Sequence, residues 1–242
     1  MAALQVLPFV EALALAPETS KRHALLGNGF SRAWRDDIFS YTVNYDLLLY
    51  WTLMQQEVEP EVPFDDGFRQ PEDGPTDYVT WEVGRTDRQN IFYLHGALHI
   101  FDAGHEIQKY TWVNTGIPLI DQVREALTRN LYPLFVSEGD SRQKLSKIKH
   151  SDLLARGYRG FSKIGGSLFV FGHSLAPNDD HVLHLIEKNR CSHLFVSLYG
   201  DPESPGNRRI RDRTQAIAAA RHPNRPLKVS FNDAASARVW RD

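Results

Sequence analysis

Leu4, Leu7, Val10 and Leu13 recur at helical spacing, which predicts an amphipathic first helix. Beyond it the pattern becomes short apolar runs alternating with helical periods. Ala24-Leu25-Leu26, Ile38 to Val43, Asn90 to Leu94, Gly166 to Phe171, Leu194 to Tyr199 and Leu227 to Phe231 read as strands, and Pro133 to Val136 is strand-like. Asp46 to Gln55, Pro118 to Leu131, Ser141 to Tyr158, Asp179 to Asn189 and Ile210 to Arg221 read as helices, and Phe30 to Asp36 as one or two helical turns. The strands are almost continuously apolar, as strands buried on both faces are. The alternation therefore predicts an α/β fold: a mostly parallel sheet with helices on both faces, in one domain spanning residues 1–242.

Two stretches break the alternation. Glu57 to Thr86 is rich in Pro, Asp, Glu and Gly, with Phe64, Phe68, Tyr78 and Trp81 spread through it, and reads as a surface loop or lid with aromatic anchors. Leu98 to Phe101 and Lys109 to Val113 flank Asp102-Ala103-Gly104, which predicts a β-hairpin or an excursion from the main sheet.

Composition narrows the function classes. The 242 residues are 42% hydrophobic and 24% charged, with a net charge of -2, so no global field draws the chain to nucleic acid or to an anionic membrane. The one basic cluster, Asn207 to Arg213, contains Asp212 and leads into a helical period, so it reads as a solvated helix start. No run approaches the roughly 18 apolar residues of a membrane span. Ala2 to Ala16 carries Glu11 and lacks both a basic start and a small-residue cleavage site, so it reads as a helix and not as a signal peptide. Cys191 is the single cysteine, which precludes an intrachain disulfide and fits a reducing, cytoplasmic setting.

The candidate chemistry lies where strands end, the edge at which open α/β sheets bind ligands. Gly27-Asn28-Gly29-Phe30-Ser31 follows the second run, and its glycines would let backbone N–H groups approach a pyrophosphate. Read alone, the same residues fit a plain turn, because Arg32 stands where the dinucleotide fingerprint has its third glycine. Asn44 and Asp46 in Thr42-Val43-Asn44-Tyr45-Asp46 point into a cleft or cap the next helix. His95-Gly96 ends the third strand. Gly172-His173-Ser174-Leu175 ends a later one and lacks the second glycine of a serine-hydrolase elbow. No metal site is expected: His95 and His99 lie about 13 Å apart along a strand, and His181 and His184 read as partly solvated residues of a helix.

Taken in order, these motifs resemble the sirtuin-like superfamily, nearer its bacterial NAD-hydrolase branch than its protein deacetylases. The run Tyr93 to Asp102 together with Gly172 to His181 is similar to a bacterial family of unassigned function allied to that branch. The resemblance covers roughly residues 20 to 205. It implies a Rossmann-like domain that binds NAD, with Gly27, Asn28, Gly29, Phe30 and Ser31 on the pyrophosphate. Gly172, His173 and Ser174 would line the ribose or phosphate region, with Asp46 also among the cofactor contacts. Asn44 and His95 would be the catalytic pair beside the nicotinamide ribose. The implied reaction is NAD glycohydrolysis to nicotinamide and ADP-ribose, with the aromatic loop from Glu57 to Trp81 as a cover. The four-cysteine zinc module of deacetylases is absent. The implied partner is a small-molecule nucleotide, and a homo-oligomer is compatible with the sequence. One departure stands out: only ten residues, Arg32 to Tyr41, separate Ser31 from Thr42, where such proteins carry a longer, helix-rich insertion. That gap favours a second expectation, a non-catalytic nucleotide-binding or sensing module. A third, a metal-dependent phosphate-ester hydrolase or transferase, would need Asp46, Asp179 and Asp180 to converge.

Overall fold

The computed structural model describes residues 4–17, 20–27, 38–54, 64–74, 76–85 and 88–238. Asn28, Gly29, Phe30 and Ser31, and the helical turns expected at Phe30 to Asp36, lie outside these described residues.

The chain opens with strand β1 (Val6–Leu7), helix α1 (Phe9–Leu15), strands β2 (Arg22–Leu26) and β3 (Ile38–Thr42) and helix α2 (Leu48–Met54). Strands β4 (Phe68–Arg69), β5 (Tyr78–Trp81), β6 (Ile91–Tyr93), β7 (Gly96–Asp102) and β8 (Ile107–Tyr110) follow. Then come α3 (Trp112–Thr115), α4 (Leu119–Thr128), β9 (Pro133–Phe135), α5 (Ser141–His150) and α6 (Asp152–Phe161). The chain closes with β10 (Gly165–Phe171), α7 (Asp180–Lys188), β11 (Arg190–Leu198), α8 (Pro205–Ala219) and β12 (Lys228–Asp233).

Among the described residues, seven strands form one parallel sheet in the order β1-β12-β11-β10-β2-β3-β6. With the edge strand β1 set aside, the other six read 3-2-1-4-5-6 in chain order, the doubly wound Rossmann arrangement. The order reverses between β2 and β10, and ligands of such sheets bind in the crevice beyond the carboxyl ends of those strands.

The pleat divides the apolar residues between two faces. Leu25, Tyr41, Leu168, Val170, Leu194 and Val196 pack with Phe161 of α6, Val182 and Ile186 of α7 and Ile217 of α8. On the other face Phe169 and Phe195 stack at 4.5 Å under Phe9 and Ala12 of α1. Ala24, Leu26 and Phe171 there meet Leu49 of α2 and the apolar side of a second sheet.

That second sheet is antiparallel, in the order β4-β5-β8-β7-β9. It contains the expected hairpin as β7 and β8. It also corrects two expectations. The 57–86 stretch is not a loop throughout, because Phe68 and Trp81 are buried core residues of paired strands β4 and β5. Pro133 to Phe135 belongs to this sheet as β9 and not to the parallel one. Three smaller corrections follow from local chemistry. The first helix starts at Phe9, after Val6 and Leu7 have paired with β12. Trp112 starts the short helix α3 and does not extend the hairpin. The 141–158 helix is two helices, because Ser151 adopts extended angles (φ -107°, ψ 125°) and its hydroxyl accepts from Leu154 N to start the second.

Residues 27–37 join the neighbouring parallel strands β2 and β3.

Candidate functional site

Register places the site. Phe171, Leu26, Thr42 and Tyr93 pair in one row across β10, β2, β3 and β6. The ladder runs one residue further, with Gly27 N on Phe171 O at 2.8 Å, Val43 N on Leu26 O at 3.0 Å and Leu94 N on Thr42 O at 2.8 Å. Gly172, Gly27, Asn44 and His95 therefore leave the sheet side by side, although the sequence separates them by as much as 145 positions (172 − 27).

Gly27 and Gly172 sit at the switch point. A Cβ on Gly27 would lie 2.4 Å from Gly172 O and 2.8 Å from His173 Cα, so only glycine lets the two strand ends approach this closely. Gly96, expected with His95, has its own requirement: φ is +73°, and a Cβ would lie 2.0 Å from Leu134 O. It turns the chain from the parallel sheet into β7.

Asn44 is buried. Its Nδ2 donates to Gly27 O at 2.7 Å, and its backbone N donates to Thr42 Oγ1 at 3.0 Å. The amide thus bridges the ends of β3 and β2, while Asp46 takes the capping role and accepts from Leu48 N at 2.9 Å at the start of α2. His173 turns inward: its Nδ1 accepts from Leu175 N at 2.9 Å, and its Nε2 lies 3.3 Å from Asp179 Oδ2. Gly172 and Ser174 are exposed at the sheet edge. Leu175, buried with φ +53°, holds the turn in the left-handed region that non-glycine residues rarely occupy.

His95 meets a partner that sequence spacing does not reveal. Its Nε2 is 2.9 Å from Nε2 of His181, and the rings lie nearly in one plane, 20° apart. His181 is buried at 3% exposure, not partly solvated as expected, whereas His184 is exposed and pairs with Glu187. His99 stays apart, packed against Tyr50 at 5.0 Å and Tyr93 at 5.9 Å.

The hydrogen bonds assign the tautomers. His95 Nδ1 lies 3.1 Å from Val43 O, an acceptor only, so Nδ1 carries hydrogen and Nε2 carries the lone pair. His181 then donates through Nε2. Its Nδ1, 3.4 Å from Ser141 Oγ, accepts from that hydroxyl, whose oxygen in turn accepts from His181 N at 2.7 Å. Burial and the neighbouring His181 push His95 down to about 3, and burial pushes His181 down to about 4. Both are neutral near pH 7.

Asp179 closes the cluster. Buried Lys144 of α5 reaches its Oδ1 at 2.9 Å, and His173 faces its Oδ2. Burial pushes the carboxyl up, but His173 and Lys144 outweigh it and hold Asp179 well below the usual carboxylate range. Asp180 turns away to pair with Arg213 of α8. The carboxylates Asp46, Asp179 and Asp180 thus each have different partners, and the metal-dependent phosphoester reading lacks its converging acids. One donor atom from each of His95, Asp179 and His181 lies within 4.8 Å of the others, a spacing that a single ion can bridge.

Lys144 is a functional candidate that the sequence does not single out, while Asp179, expected only as a phosphoester-site acid, and His181, expected as a partly solvated helix residue, gain these roles from the fold. Their only sequence signal is their position, two just after the β10 turn and one on α5, and that signal serves a helix cap equally well. A separate cleft of about 340 Å³ on the second sheet is lined by Tyr78, Tyr110, Gln122 and Arg129 among others. None of the predicted site residues lines it.

The sheet order and the polar cluster beyond its carboxyl edge define a Rossmann-type α/β protein with a candidate site at the topological switch. The chain belongs to the family described as a domain of unknown function (DUF4917), which matches residues 39–240. The match takes in Asn44, His95, Lys144, Gly172 to Ser174, Asp179 and His181. No curated protein matches the chain. Among the described residues, no helix is long and apolar enough to cross a membrane.

Proposed function

We propose that the chain binds NAD across the ends of β2 and β10 and hydrolyses its N-glycosidic bond to release nicotinamide and ADP-ribose. The observation that carries this reading is the meeting of Gly27 and Gly172 at the switch point, with Asn44 bonded to Gly27 O and His95 beside it. The order of the strand-end motifs, with its resemblance to NAD-hydrolysing sirtuin-like proteins, supports it.

The chemistry suits these groups. The nicotinamide ring of NAD is already cationic and leaves as a neutral molecule, passing the positive charge to the ribosyl centre, so no general acid is needed. What the site must supply is orientation of a water and somewhere for that water's proton to go. Asn44 is fixed by its bond to Gly27 O, which leaves its Oδ1 to orient a water or a ribose hydroxyl. The His95–His181 pair is the group placed to accept the proton; burial makes both rings weak bases, and Asp179 beside them offsets part of that cost by stabilising the charge that results. For His95 to accept it directly, its Nε2 must part from His181.

That last requirement favours a second reading, a nucleotide-binding module without turnover. The nitrogen that catalysis needs is occupied by His181. Both readings place NAD at the same sheet edge, and they separate in one experiment. Purified protein incubated with NAD is expected to release nicotinamide, and Asn44→Ala to lower that rate at least about hundredfold, the scale of a lost positioning group. Calorimetric NAD binding without nicotinamide release would establish the second reading. No binding of NAD or ADP-ribose would remove both.

A further inference from the structure

We propose that His95 Nε2, His181 Nε2 and a carboxylate oxygen of Asp179 bind one divalent transition-metal ion, with Zn²⁺ the best-matched member of that class. The three donors lie within 4.8 Å of one another. They come from the turn after β6 and from the segment that opens α7, two elements that the sheet order brings together.

The surroundings are those of metal-bound histidines. Such rings use their second nitrogen on a carbonyl, carboxylate or hydroxyl that fixes tautomer and orientation. His95 Nδ1 donates to Val43 O, which leaves the Nε2 lone pair for the ion, and His181 would ligate by moving its hydrogen from Nε2 to Nδ1, where Ser141 Oγ, turned to accept, can hold it. Tyr158 Oη donates to His181 O at 2.9 Å and fixes the backbone behind the second ring. Two imidazoles and one carboxylate suit Zn²⁺ and its transition-metal neighbours better than Mg²⁺ or Ca²⁺, which prefer oxygen. Three protein ligands leave a coordination position for water, the pattern of catalytic and not structural zinc sites.

Two features of the molecule compete most directly with the ion, beside His173 Nε2, which faces Asp179 Oδ2 at 3.3 Å. The first is a shared proton between the rings. Their 2.9 Å separation suits an N–H···N bond, whereas two nitrogens on a tetrahedral Zn²⁺ stand about 3.3 Å apart. The rings would have to part by about 0.4 Å, a small side-chain shift. The second is Lys144, whose ammonium already sits on Asp179 Oδ1. A carboxylate has about four lone-pair sites, so lysine and ion can share it, but their charges oppose each other. Removing the lysine charge should therefore help the ion.

The test uses the full chain stripped of metal and titrated with Zn²⁺ by calorimetry, and with Co²⁺ followed by its visible absorption. One ion per chain is expected. His95→Gln, His181→Gln and Asp179→Asn should each weaken binding at least about tenfold, and Lys144→Met should leave it unweakened or tighten it. A readout on the unmutated chain guards against misfolded variants. The N–H···N scalar coupling between the two labelled imidazoles should disappear as Zn²⁺ is added. Absence of one-to-one binding, binding unchanged in folded His181→Gln, or a coupling that persists in excess Zn²⁺ would overturn the proposal. The measurement is made without nucleotide, so its failure and the failure of the NAD reading are independent.

Discussion

Gly27 and Asn44 show how single residues hold the switch point together. The contact between Gly27 and Gly172 leaves no room for a side chain, and the buried Gly27 carbonyl takes its hydrogen bond from Asn44. Gly27→Ala is expected to cost about 1–3 kcal/mol through overpacking, read as a lower urea midpoint with unchanged slope. Asn44→Ala should cost about 1–3 kcal/mol as well, because it strands that carbonyl. His23 gives a prediction in pH. It is buried in β2 against Phe39, and burial lowers it to about 4 against an ordinary 6.5. Between those values the unfolded chain binds a proton that the folded chain refuses. The stability is complete above about pH 6.5 and falls as pH drops toward 4, by up to about 3 kcal/mol for a shift of this size. Thermal unfolding of His23→Leu should accordingly show a flatter acid limb than the unsubstituted chain. A slope equal to the parent's would show that His23 is not the group responsible.

At the scale of elements, helix ends were legible where a side chain does the ending and hidden where packing does. Asp140 accepts from Arg142 N and Gln143 N while Gln143 Oε1 accepts from Asp140 N, a capping box that local sequence specifies. Ser151 could have been read as a break between α5 and α6, but Ser is tolerated inside helices and the periodicity ran through it. The end of α7 is decided at a distance. Buried Arg221, beyond α8, reaches Ile186 O, Asn189 O and Cys191 O through one guanidinium. A lysine cannot present that fork of donors. Arg221→Lys is therefore expected to lose about 2 kcal/mol or more of stability, measured by chemical denaturation. Cys191 in the same corner is buried, and burial pushes its thiol up to about 12. It should resist thiol reagents in the native protein and react only on unfolding. The acidic, aromatic 57–86 stretch was the least legible, because β4 and β5 are too short to show a period and, among the described residues, pair with each other and with β8.

At the scale of the whole molecule, one parallel sheet sets the working edge, and the antiparallel sheet is packed against one of its faces. NAD or ADP-ribose is expected to slow amide hydrogen exchange in the segments that leave β2, β3 and β10, around Gly27, Asn44 and Gly172. Protection confined to the cleft near Tyr78 and Arg129 would place the ligand on the other sheet and remove the proposed site. The apolar runs, their alternation with helical periods and the glycines at strand ends determined by themselves that this chain forms an α/β sheet with its polar motifs on one edge. Such signals are local: a buried strand needs apolar residues, and a tight exit needs glycine. Strand order and register are not local. Only the tertiary structure decided that β10 lies beside β2, that Pro133 to Phe135 joins the second sheet, and that His95 meets His181, 86 positions further along. Burial and the pairing of a lysine, a carboxylate and two imidazoles depend on which elements pack together, and no spacing along the chain encodes that.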